Sequence, residues 1–114
     1  IQYDQGKFAE GVASLQAMLR STPKELRAGM HALIGGGLEG AGKPAEAAAA
    51  YAEAAAASIF QLDAQQYRME QARALLAAGD QAAATAIYAE MSALEDSPYA
   101  GESKVRLGEI RAAK

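Results

Sequence analysis

The chain has 114 residues, a formal net charge of −3, three prolines, no tryptophan and no cysteine. That length suits one domain with a modest core. The missing cysteines exclude disulfides and thiolate metal sites, and a mildly acidic chain without a Lys/Arg cluster is a poor match for nucleic acid.

About a quarter of the residues are alanine and β-branched residues are few, so an all-α protein is expected. Punctuation and apolar spacing predict six helices, at about 7–21, 24–40, 44–57, 63–78, 81–94 and 98–113. Gly6-Lys7-Phe8-Ala9-Glu10 reads as a turn entering the first helix, whose apolar face is Val12, Leu15 and Leu19. Thr22-Pro23-Lys24-Glu25 reads as a capping box opening the second, with Met30, Leu33, Ile34 and Leu38 on one stripe. Gly42-Lys43-Pro44-Ala45-Glu46 leads into an alanine-dense third helix interrupted by Tyr51 and Glu53. Asp63 with Gln66 forms a box for the fourth, Leu62 is placed to staple against Tyr67, and Met69, Ala72, Leu75 and Leu76 make its stripe. Gly79-Asp80 serves as a helix stop followed by an N-cap for the fifth, which carries Ile87, Met91 and Leu94. Ser97-Pro98 opens the sixth.

Links of a few residues make antiparallel hairpins, and the glycine-led starts at Gly6, Gly42 and Gly79 recur every 36 and 37 residues. Two longer patterns repeat with them: His31-x-x-Ile34-Gly35-x-x-Leu38 with Ala47-x-x-x-Tyr51, and Arg68-x-x-Gln71-Ala72-x-x-Leu75 with Ala84-x-x-x-Tyr88. Gly11-x-x-x-Leu15 with Pro23 and Lys104-x-x-Leu107-Gly108 are partial copies. The set resembles the tetratricopeptide repeat, whose period is about 34 residues. The departures are His31 and Arg68 in place of large aromatics, Gln71 in place of leucine, and the longer period.

The resemblance implies a right-handed superhelix of helical hairpins, divided as a partial repeat (1–23), two repeats (24–58 and 59–96) and a capping helix (97–114). It implies small residues at Gly35, Ala47, Ala72 and Ala84 where paired helices touch, and Tyr51 and Tyr88 filling space between hairpins. It also implies a non-catalytic module binding a peptide or partner protein on its concave face, through Ala32, Gly36, Glu39, Gln66, Met69, Arg73 and Leu76. Arg73 is the electrostatic anchor of that set unless it pairs with a neighbouring glutamate. The ending from Gly79-Asp80 to Leu107-Gly108-Glu109 is similar to a bacterial envelope branch of the family. There a membrane helix precedes a periplasmic repeat domain, as in the ancillary subunit of the Sec translocon. A chain opening inside a repeat without an initiator methionine is expected to be a fragment or processed form, with a periplasmic or membrane-anchored location favoured over a cytoplasmic one.

Other chemistry is sparse. Gly37-x-x-x-x-Gly42-Lys43 approaches a phosphate loop, but Pro44 stands where a Ser/Thr would hold magnesium. His31 is the single histidine, so neither a histidine metal cluster nor a Ser-His triad is expected, and no cofactor or enzymatic activity is. Glu95-Asp96 reads as a solvated turn, and Glu102 and Glu109 as surface charges. Gly29, Gly35, Gly36, Gly37 and Gly40 crowd one helix, either for close packing or for the approach of a bound chain. No stretch is long and apolar enough to span a membrane. A second function class is self-assembly, in which a homodimer through the terminal helices covers Val12, Leu15 and Leu19.

Overall fold

The computed structural model describes residues 2–113, with side chains from Gly6 onward. Alanine-rich segments set off by glycine and proline fold into α1 (Gln2–Leu19), α2 (Arg27–Gly40), α3 (Pro44–Ala57), α4 (Gln61–Ala77), α5 (Gln81–Ser92) and α6 (Ala100–Ala112), with a 3-10 turn at Lys24–Leu26 and no strand among the described residues. Each helix packs on the next in chain order. The molecule measures 39 × 34 × 17 Å, the short axis being the depth of two helix layers.

The helix ends show which punctuation acts. Gly42 (φ 78°) and Gly79 (φ 88°) adopt the left-handed conformation after α2 and α4. In both, paired backbone bonds close the helix: Lys43 N–H to Leu38 O (2.9 Å) with Gly42 N–H to Glu39 O (3.0 Å), and Asp80 N–H to Leu75 O (2.9 Å) with Gly79 N–H to Leu76 O (3.0 Å). Gly42-Lys43 is therefore a helix stop, and Pro44 occupies the first turn of α3. The Asp80 carboxylate caps α5 by accepting from Ala83 N–H at 3.1 Å.

Other starts differ from expectation. Gly6 lies inside α1, because a single glycine costs only about 1 kcal/mol and the flanking residues sustain the helix. The Thr22 hydroxyl donates back to Met18 O (2.9 Å), closing the end of α1 rather than capping α2. Without that cap the chain passes through the 3-10 turn before α2 begins at Arg27. Asp63 sits in the first turn of α4, which starts at Gln61. The Ser97 hydroxyl donates to Gln65 (2.7 Å) and accepts from Tyr99 N–H (3.1 Å), holding the link until α6 starts at Ala100.

Two kinds of core result. Between α4, α5 and α6, Met69, Ile87, Tyr88, Met91, Leu107 and Ile110 pack around Ala72 and Ala84. Toward the other end the buried groups are smaller: Val12, Ile34 and Ala50 form one cluster between α1, α2 and α3, and Ala47, Ala48 and Tyr51 of α3 form another with Ala74 of α4. There the glycines of α2 admit neighbours to the backbone. A Cβ on Gly35 would lie 2.9 Å from the Tyr51 ring, one on Gly37 2.6 Å from Val12 Cγ2, and one on Gly40 2.6 Å from the Phe8 ring. α2 thus covers Val12, and Leu15 and Leu19 are half-buried, so this face does not require a second copy to shield it.

Candidate functional site

The expected site residues fall on α2 and α4 but do different jobs. Glu39 is gripped by Arg73 at two points, 2.6 Å and 2.9 Å, and accepts a further bond from the Tyr51 hydroxyl at 2.6 Å. Arg73 also reaches Glu70 at 2.6 Å. Its guanidinium is therefore occupied by two carboxylates of its own chain and is not an open anchor for a ligand carboxylate. The donors of Arg73 hold Glu39 below its ordinary 4.5 in spite of partial burial. Burial, then the bond to Glu39, pushes the Tyr51 phenol up. These contacts tie α2, α3 and α4 into one polar clamp.

Met69 is buried, with its sulfur accepting from the buried Ser103 hydroxyl at 3.2 Å; it belongs to the core more than to a contact surface. Gln66 is exposed and lines a cleft of about 200 Å3 with Met69, Arg73, Tyr88 and Arg106. Leu76 is half-buried beside Tyr88 and Ile110 in an adjoining cleft of about 360 Å3. Arg106 there is held by Glu109 (3.1 Å) and Glu102 (3.7 Å). Both arginines on this wall are already neutralised, so the α4–α6 clefts present paired charges.

Ala32 and Gly36 lie on a different surface. Along the outward side of the second helical segment, Leu26, Gly29, Leu33 and Gly36 are all exposed, a helix-spaced stripe without charge. Leu33, expected in the core stripe beside Ile34, is 59 % exposed while Ile34 is 4 %. Periodicity misassigned it because the helix is apolar on more than one face. Met18 from the end of α1, Leu26, Met30, Ala32 and Leu33, and Tyr67 from α4 line a groove of about 790 Å3. Its side-chain polar groups are few: the Ser21 and Thr22 hydroxyls, which both donate to Met18 O, and the Tyr67 phenol.

The surrounding distribution singles out this end of the molecule. Met18, Leu26, Leu33, Ile59 and Phe60 are exposed large apolar side chains, as is Phe8 beside Gly40 at the other end of α2, whereas Leu62 and Val105 are those in the last three helices. The end of α1, the α1–α2 link, the start of α2 and Tyr67 of α4 border the same groove. Met18, Leu26, Met30, Leu33 and Tyr67 together make this groove a candidate interaction surface. Of the expected site residues, Ala32 lines this groove and Gly36 lies on the exposed stripe beside it. Met30 and Leu33 share helical spacing with the buried Ile34, and nothing in that spacing shows that no helix covers them.

Among the described residues, no group of three or more His, Cys, Asp or Glu side chains stands in metal-binding geometry, and no helix is long and apolar enough to cross a membrane. In comparisons with family models, curated proteins and solved structures, nothing matched this chain.

Proposed function

We propose that this chain is a non-catalytic protein-interaction module, a short right-handed superhelix of tetratricopeptide-like hairpins that receives a partner in the exposed groove between the end of α1, the start of α2 and Tyr67 of α4. Support for the repeat comes from the motif spacing together with the buried small residues Ala47, Ala72 and Ala84 and the close Gly35–Tyr51 approach. The observation that carries the binding reading is the uncharged groove between Met18, Leu33 and Tyr67, whose leucines remain exposed while the neighbouring core is closed. The Glu39–Arg73–Tyr51 clamp holds the walls of that groove in fixed relation and serves binding by rigidity rather than by contact.

A displayed library of random peptides, selected on the purified chain, tests the reading. Enriched peptides are expected to lose binding to Leu26→Glu and Leu33→Glu while circular dichroism and urea unfolding of both variants stay unchanged. Absence of enrichment, or enriched peptides indifferent to both substitutions, would overturn it.

A further inference from the structure

We infer that the occupant of the Met18–Leu33–Tyr67 groove is an amphipathic α-helix of a partner protein, with an apolar stripe facing the groove and acidic residues beside that stripe. This rests on the interaction reading above and adds the partner's conformation and charge.

Conformation follows from what the groove offers a backbone. Its walls are α2 and α4 with the α1–α2 link, where Ser21, Thr22 and Leu26 N–H groups bond within turns to Met18, Leu19 and Pro23 O, and no strand edge exists among the described residues to pair with an extended chain. The Ser21 and Thr22 hydroxyls already bond to Met18 O. An extended peptide laid here buries N–H and C=O groups against leucine and methionine with no ladder of partners, which disfavours it. A helix satisfies its own backbone and needs only side-chain contacts. Gly29 supplies room for a helix to approach closely, since nothing lies within 4 Å of where its Cβ would stand.

Charge follows from the cations. Arg20, Lys24 and Arg27 are chain neighbours of the lining residues Ser21, Pro23 and Leu26, and Glu25 is the single carboxylate between residues 18 and 33, in a chain whose net charge is −3. None of these three cations joins an ion pair, whereas Arg68, Arg73 and Arg106 in the other half each do. Exposed, unpaired cations around an apolar groove select a partner with carboxylates at its edges and speed its arrival. A lipid surface is the less suitable partner, because the leucines and methionines line a concavity that a flat bilayer does not enter.

The test uses the whole chain and two synthetic helices with the same leucine stripe at i, i+3, i+4 and i+7. One carries glutamate flanks and the other lysine flanks, and binding is read by fluorescence anisotropy. The glutamate helix is expected to bind at least about tenfold more tightly, with the advantage shrinking as salt rises. Gly29→Leu is expected to weaken its binding at least about tenfold while leaving unfolding unchanged or raised, since it fills the groove floor in open space. Equal affinity for the two helices, Gly29→Leu binding as tightly as the parent chain, or binding to phosphatidylcholine–phosphatidylglycerol vesicles without binding to either helix would overturn the inference. Library peptides that depend on Leu33 but are extended or basic would refute this occupant and leave the interaction reading standing.

Discussion

The two halves of the molecule solve the same packing problem with opposite materials. In α4–α6, methionine, isoleucine, leucine and tyrosine fill the interior around two alanines, and little large apolar surface remains outside. In α1–α3 the interior is glycine, alanine, valine, one isoleucine and one tyrosine, while phenylalanine, methionine and leucine stand in solvent. Small residues let the helix backbones close on one another, which removes the need for large core side chains and frees them for an outer face. The difference separates a half closed by large side chains from a half that leaves them at its surface.

The contrast is broken most severely by attacking the large-residue core. Met91→Ala removes a buried side chain from between helices and is expected to cost about 3 kcal/mol in urea unfolding. Gly35→Ala tests the other half: a single added methyl meets the buried Tyr51 ring at 2.9 Å and is expected to cost about 2 kcal/mol. A neutral outcome there would mean that the glycine core is loose rather than closed.

The clamp between the halves gives a smaller effect. Arg73→Ala is expected to cost about 1 kcal/mol, since the guanidinium is half-exposed and screened while Glu39 is more enclosed. Its pH signature follows from the direction of each shift. Glu39 is held below 4.5, so its contribution is complete above that value and is lost as pH falls through the lowered one. The Tyr51 and Tyr88 phenols are pushed above 10.0, so their contribution is complete below 10.0 and is lost as pH rises through the raised values. A urea midpoint measured against pH is expected to fall at both ends, and Glu39→Gln is expected to blunt the acid fall. The smallest effect has the opposite sign: Gly108→Ala in α6 meets nothing within 4 Å and is expected to add about 0.5–1 kcal/mol. The same exchange thus destabilises the α1–α3 half at Gly35 and stabilises the other half at Gly108.

Much of the fold was legible from local chemistry. The Gly79-Asp80 stop and cap, the Pro44 start and the small residues at Ala47, Ala72 and Ala84 each act over one turn or one hairpin, where spacing carries the information. Gly6 was misread because an isolated glycine does not stop a helix, and Thr22 because its hydroxyl had a competing acceptor one turn back. The functional surface was less legible. Whether Leu33 or Ile34 faces the core depends on where α1 and α3 lie, and Arg73 meets a carboxylate 34 residues away. The glycine crowd in α2 was ambiguous for the same reason: Gly35, Gly37 and Gly40 serve packing, whereas Gly29 opens onto the groove.

Amide hydrogen exchange along the whole chain, with and without the glutamate-flanked helix, tests the division between these two halves most directly. The expected result is slowed exchange confined to the end of α1, the 3-10 turn, the first half of α2 and the start of α4, with α5 and α6 unchanged. Protection centred on the α4–α6 clefts would contradict it.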